Sequence, residues 1–315
     1  MITKSNYQTA PQVYSLAELN VAQIQSLDRD KTVVLIPGGI LEEHGPYLPC
    51  FTDGYINERL TCDVANAIGS RPGWSALIFP TIPLGTGGAN EIGEKYIFPG
   101  TYTVRTTTLR TVFMDLATEL GEQGFRWIFI VHLHGAPNHN KVLDQACAYF
   151  NDTYEGRMVN LAGLILPSLF EVASMTEEDQ KAAGFDVHAG TEETSWMLFV
   201  QPGLVDPAYK EAIPYRGENW DDLRQISKAP NWLGYFSSPA NSKVSYGKII
   251  TEKIAEALTA LVFKVLDEGD LDSIPRYAEL MQESATNIAI DSTALEEEVR
   301  RQQKQDEWLK KRGLG

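Results

Sequence analysis

Cysteine is scarce: Cys50, Cys62 and Cys147 are the only three in 315 residues, and they form no paired spacing. That argues against a thiolate zinc site and a disulfide framework, and it points to a reduced, cytoplasmic setting. No uncharged apolar run is long enough to span a bilayer, and no basic-then-apolar segment opens the chain. Neither a membrane span nor a secretory signal is therefore expected. Positive charge is in short supply as well, with 27 Lys and Arg against 42 Asp and Glu, a net charge of -15. A general nucleic-acid binder needs clustered cations for phosphate contacts, so that class is set aside. Histidine is rare too, but the five (His44, His132, His134, His139, His188) fall into three Gly-rich stretches rather than scattering.

The rest is ordinary globular composition, 43% hydrophobic and 22% charged. A chain of this size buries about 75% of its unfolded surface. Thr32-Val33-Val34-Leu35-Ile36 is an apolar run typical of a buried parallel strand, and it leads into Gly38 to Asp53, GGILEEHGPYLPCFTD. After Asp53 the residues Ile56, Leu60, Val64 and Ile68 recur every four positions, the stripe of an amphipathic helix. Further strands are expected at 76–83, 127–131 and 158–166. Helices are expected at 15–27, from Leu109 to Leu120, at 141–150, 194–200 and 246–266, with a polar helical insertion at 168–187. Gly85-Thr86-Gly87-Gly88 lacks the Lys-Ser/Thr of a phosphate loop and reads as a mobile active-site loop. Residues 203–240, rich in Pro and aromatics, read as a pocket wall or as a segment packed against another subunit. Alternation of strands and helices gives an α/β fold, a three-layer α/β/α sandwich with a mostly parallel central sheet. Residues 1–270 form a single domain in this reading, and 271–315 a polar, solvated helical extension.

Three strand ends deliver chemistry to one rim. Glu42 and His44 are two apart, so an extended backbone points both to one side, and Asp53 follows closely. His132-Leu133-His134 ends the strand at 127–131, and His188 to Glu193 opens a helix. Asp53, Glu192 and Glu193 have a plain alternative reading as first-turn acids favoured by the helix cap and dipole. Mixed carboxylate and imidazole donors suit zinc, manganese or iron better than calcium or magnesium. Such an ion activates water and polarises a carbonyl, so hydrolysis of an amide-like bond follows most directly.

These stretches resemble the creatininase family of metal-dependent amidohydrolases. Pro37 to Asp53 is similar to the family's P-x-G-S-x-E-Q-H-G-P-H-L-P-x-x-T-D, with Ile40 for Ser, Glu43 for Gln and Tyr47 for His. His134-Gly135 falls on N-G-H-G-G-N, His188 to Ser195 on H-A-G-E-x-E-T-S, and Phe98 to Thr101 is a softer match. The resemblance spans roughly residues 30–265. It implies that Glu42, Asp53 and His134 hold one divalent metal, with Asp53 bridging to a second on His44. The Glu that completes the second site in creatininase is Ala136 here, and Glu193 is the expected replacement. It further implies His188 as a proton shuttle or oxyanion partner, Glu43 as a proton carrier or orienting group, and one or two Zn2+ or Mn2+ ions (Fe2+ being a further option). The partners implied are a small-molecule amide substrate and a homo-oligomer, often a hexamer. Because Ala136 breaks the pattern, the alternative is a metal-free, non-catalytic α/β binding protein of the same fold.

Overall fold

The computed structural model describes residues 11–164, 184–268, 276–281 and 285–314. Its five described strands are β1 (Val13–Ser15), β2 (Thr32–Pro37), β3 (Ser75–Ile78), β4 (Trp127–Val131) and β5 (Arg157–Asn160). They form one parallel sheet in the order β1-β3-β2-β4-β5, with Leu35 paired to Ile78 on one side and to Phe129 on the other. β2 lies at the centre and is buried along its whole length. That is why its sequence is apolar throughout rather than alternating.

The two faces of the sheet are covered by different helices. Val33, Leu35, Phe129 and Val131 pack with Leu60 and Val64 of α2 (Thr52–Gly69) and with Ile250, Ile254 and Leu258 of a long helix at Val244–Glu268. Val34, Ile36, Ile128 and Ile130 point the other way, onto Leu109 and Phe113 of α3 (Thr106–Glu122) and Leu143 and Phe150 of α4 (Pro137–Thr153). The strand's two-residue period thus sorts the core into two halves, and the expected α/β/α layering follows. The connection leaving β2 crosses on the α2 face, whereas the one leaving β4 crosses on the α4 face. A crevice opens between the carboxyl ends of those two neighbouring strands, where open α/β sheets place their sites.

Several local expectations change. The helix expected at 15–27 is instead edge strand β1, a 3-10 turn at Leu16–Glu18 and a short α1 (Val21–Gln25) with an Asn20/Gln23 capping box. β1 finds hydrogen-bond partners in β3, which outweighs a weak helical pattern. The strand expected at 158–166 ends at Asn160, and Leu161 to Leu164 are helical. The strand expected at 76–83 stops at Ile78, leaving a single bridge from Ile82 to Gly38. Segment 203–240 contains a helix, Trp220–Lys228, started by the Asn219 side chain, which accepts from the Asp222 N–H at 3.1 Å. Most of the insertion at 168–187 lies outside the described residues. After α2, α3 and α4 we number the later helices α5 (Thr191–Val200), α6 (Trp220–Lys228), α7 (Val244–Glu268), α8 (Tyr277–Met281) and α9 (Ala285–Lys310). No helix among the described residues is long and apolar enough to cross a membrane.

The C-terminal segment departs most from expectation. It is polar, but it is not simply solvated: α8 and α9 fold back over the crevice. The Tyr277 hydroxyl donates to the Gly135 carbonyl at 2.6 Å, and Arg276 pairs with Asp144 at 3.4 Å. Glu298 on α9 accepts from the Thr106 N–H at 2.9 Å and from the Thr106 and Thr86 hydroxyls at 2.6 and 3.1 Å. A carboxylate at the N-terminus of α3 satisfies donors that no backbone group can reach.

Candidate metal centre

The loop after β2 passes tightly beneath the loop after β4. A Cβ on Gly38 would lie 1.5 Å from His132 Nε2, so only glycine allows the two strand ends to approach. Beyond it Glu42 and His44 turn inward, and Asp53 enters from the first turn of α2, all three buried. Asp53 lies in the first turn of α2, whose N-cap position, Phe51, makes no side-chain capping hydrogen bond. From β4 comes His134, whose backbone is clamped from both sides. Asn57 exchanges hydrogen bonds with Leu133 (2.9 Å to its N–H), and the Asn140 amide donates to the His134 carbonyl at 2.8 Å. His188 and Glu193 arrive from the approach to α5 and from its first turn.

The side chains converge. His134 Nδ1 lies 3.1 Å from Asp53 Oδ2 and 3.4 Å from Glu42 Oε2. His44 Nε2 lies 3.3 Å from Asp53 Oδ1 and 3.7 Å from Glu193 Oε2. His188 Nδ1 stands 3.8 Å from Glu42 Oε1 and 3.9 Å from Glu193 Oε2. Three overlapping groups have ligand atoms within 4.8 Å of one another: Glu42/Asp53/His134, His44/Asp53/Glu193 and Glu42/His44/His188. Although these atoms crowd together, His44 Nε2 and Asp53 Oδ2 are buried without a hydrogen-bond partner. Carboxylate and imidazole donors gathered this closely suit a divalent cation.

The remaining ring atoms are tied to backbone. His44 Nδ1 sits 3.1 Å from the Glu42 carbonyl, and His134 Nε2 lies 3.2 and 3.1 Å from the carbonyls of Thr86 and Gly87. Nε2 of His188 is 2.6 Å from the Glu43 carbonyl. In each case the carbonyl can only accept, so the proton belongs on that nitrogen and the other one faces the cluster. Glu43 itself is buried, with Oε2 accepting from the Gly45 N–H at 3.2 Å and Oε1 left 3.7 Å from His188 Nε2. Gly234, with φ +89°, passes so close that a Cβ there would lie 2.0 Å from Glu43 Oε2.

The charges respond to this crowding. Burial alone would lower His134, but Glu42 and Asp53 overturn it and raise its pKa to about 9. His188 moves the same way: burial opposes the charge, and Glu42, Glu43 and Glu193 lift the pKa well above the ordinary imidazole value. Burial would raise Asp53, yet the His134 and His44 rings hold it well below the usual carboxylate range. The carboxylates draw positive charge to this spot, as protons on imidazole or as a metal cation.

Two residues near His134 in sequence stand apart from the cluster. His132 is buried edge-on to Phe113 at 5.2 Å and stacked on His139 at 5.7 Å, outside the three groups. Ala136 meets the Gly85-to-Gly88 loop: a Cβ on Gly87, at φ +81°, would lie 2.5 Å from the Ala136 Cβ. Ala136 thus lies against the Gly87 backbone, whereas Glu193 stands 3.7 Å from His44 and 3.9 Å from His188. The sequence reading missed Asn57 and Asn140, which hold the His134 backbone, and it missed Glu91, which lines the cavity below α9. None carries a local signal, because each acts through residues distant in the chain.

The cavity above the cluster measures about 340 Å³. Its walls combine Glu42, Asp53, His134 and Glu193 with Ile92, Trp196 and the inner face of α9.

A family model described as creatinine amidohydrolase matches residues 17–262. The chain is 29% identical over 171 residues to a mycofactocin precursor peptide peptidase of Mycolicibacterium smegmatis, covering 54% of this chain and 58% of that protein. It is 27% identical over 180 residues to a creatinine amidohydrolase of Pseudomonas putida, covering 55% and 66%. The matched stretch thus spans under two thirds of the length of both relatives. Among solved structures, a Bacteroides fragilis protein provisionally assigned as a creatinine amidohydrolase superposes with a TM-score of 0.62 at 24% identity, over 84% of this chain and 99% of that one. A manganese form of creatininase gives 0.58 at 20%, over 80% and 98%. At those identities the superpositions speak for the fold, and the family model speaks for descent: the chain belongs to the creatininase family, whose members are metal-dependent amidohydrolases.

Proposed function

We propose that this chain hydrolyses an amide-type C–N bond of a small molecule with water activated by one or two divalent ions, zinc or manganese being the best candidates. The observation that carries this is the convergence of Glu42, His44, Asp53, His134 and Glu193, with His44 Nε2 and Asp53 Oδ2 buried and lacking hydrogen bonds. Glu42, Asp53 and His134 would hold one ion, and His44, Asp53 and Glu193 a second, with Asp53 common to both groups. A bound ion supplies Lewis acidity, lowering the pKa of a coordinated water and polarising a carbonyl oxygen.

The protein's own groups position and move protons. Glu42 is fixed by the Ala89 N–H as well as by its neighbours, so its second oxygen keeps its aim. His188 presents Nδ1 to the cluster because Nε2 is bound to the Glu43 carbonyl, and from Nδ1 a proton can pass to the leaving nitrogen as the C–N bond breaks. The Glu43 carboxylate, 3.7 Å from that ring, favours the charged imidazole before the proton leaves. With α8 and α9 across the crevice, a small amide fits better than an extended peptide.

Metal analysis of protein purified without chelator tests the reading. At least one zinc or manganese per chain is expected, together with hydrolysis of a small amide that stops on chelation and returns with metal. A chain that binds neither ion when both are supplied would instead be a binding protein of the same fold. Replacing His188 with Asn separates its two roles: lost turnover with full metal content fits a proton carrier, and lost metal fits a ligand. A homo-oligomer is proposed from the family resemblance and a cytoplasmic setting from the unpaired cysteines, and sedimentation velocity checks the first.

A further inference from the structure

Glu91 is an acidic side chain of the cavity that belongs to none of the three candidate metal groups and takes part in no side-chain hydrogen bond among the described residues. It sits on the 3-10 turn Ala89–Gly93, two residues beyond the N–H that binds Glu42, and beneath α9. Only 8% of it is exposed, it faces the cavity, and its carboxylate forms no hydrogen bond among the described residues. Arg301 is near enough to influence it but is committed elsewhere. Its guanidinium donates to the Thr103 hydroxyl at 3.2 Å and the Tyr96 carbonyl at 3.0 Å, and faces Glu297 at 3.6 Å. A buried carboxylate without a partner is costly, and it is retained where a ligand completes it.

The surroundings say what kind of ligand. Besides the candidate metal ligands the lining holds Glu91, Asp186, Glu192, Asp291 and Glu298, and among the described residues no Lys or Arg. Glu298 is consumed by Thr86 and Thr106, and Asp186 by the Glu192 N–H at 3.0 Å. Ile92, Ile290 and Ala294 add apolar surface to the same cavity. An anionic group would meet uncompensated negative charge there, whereas a cationic one would complete Glu91 in a sheltered place. We propose that Glu91 determines specificity by accepting hydrogen bonds from an ammonium group of the substrate, so that the amide cleaved is a small amino-bearing amide. This rests on the hydrolase reading of the same cavity. Burial lifts the Glu91 pKa to about 7, which accords with a site that a positive charge would complete.

The test uses the zinc-loaded full chain and three probes of one shape: aminopyrrolidone (cationic), pyrrolidone (neutral) and pyroglutamate (anionic), titrated by calorimetry. Aminopyrrolidone should bind about tenfold more tightly than pyrrolidone, the scale of one hydrogen bond to a charged group, and pyroglutamate should bind most weakly. In Glu91→Gln that preference should fall within about threefold while zinc content stays unchanged, and Glu91→Asp should restore part of it. Pyroglutamate binding as tightly as aminopyrrolidone in the unaltered protein would overturn the proposal without reference to any variant. So would a preference that survives in Glu91→Gln. Zinc content of Asp53→Ala, measured in parallel, judges the hydrolase reading separately: if that variant keeps its zinc, the metal assignment falls while the probe series still judges Glu91.

Discussion

Two sets of histidines lie within one crevice and behave in opposite ways. His44, His134 and His188 are ringed by carboxylates, and their pKa values rise despite burial. His132 and His139 are ringed by apolar side chains and by each other. Burial, followed by the neighbouring His134, pushes His132 down to about 3 and His139 well below the ordinary value. Both sets are buried, and His132 and His134 are only two residues apart in sequence. The carboxylate contacts alone make one set a place for positive charge and the other a neutral packing element.

The largest expected effect breaks the first set. Asp53→Ala removes the carboxylate common to both proposed ion positions. Metal content should fall to near zero and turnover by at least about a hundredfold, with circular dichroism unchanged. His134→Leu should do much the same.

A pH series sharpens the contrast next. His134 has a folded value of about 9 against an ordinary 6.5, so its contribution to stability is present below 6.5 and is lost as pH rises through about 9. Chelator-treated protein should therefore show a falling urea midpoint from pH 6.5 to 9, while metal retention strengthens as the ring sheds its proton. A midpoint that rises across this window would contradict the charged imidazole.

Glu298→Ala should cost about 1–3 kcal/mol, because it leaves the Thr106 N–H and two hydroxyls without their acceptor. Differential calorimetry reads this, and metal content should not change.

The smallest effect belongs to His132→Leu. Both ring nitrogens of His132 lack hydrogen bonds, so an apolar side chain of similar size should be nearly neutral, within about 1.5 kcal/mol, and should keep the metal. If His132→Leu strips the metal as His134→Leu does, the division between the two sets is wrong.

How much could be read beforehand varied with the range of the interaction. The continuous apolar run at 32–37 and the four-residue stripe of α2 are local patterns, and both appear where they were expected. Glu42, His44 and Asp53 were readable because one loop carries all three. His132 was harder: its position two residues before His134 suggested a common role, yet Phe113 and His139 claim it. Asp53 and Glu193 had an equally good local reading as first-turn acids, and only the imidazoles brought in from other strands distinguish the alternatives. The polar tail was misjudged as solvated because charge composition says nothing of the Thr86 and Thr106 donors waiting some 200 residues earlier, at sequence separations of 212 and 192 from Glu298.

By itself the order of amino acids determined the α/β layering and the kinds of donor atom at the strand ends. Both follow from periodicity and side-chain chemistry along short stretches of chain. Which imidazoles meet carboxylates, which carboxylate is left without a partner, and what roofs the cavity were settled only in three dimensions. Those outcomes depend on distances of a few ångströms between segments that share no sequence neighbourhood.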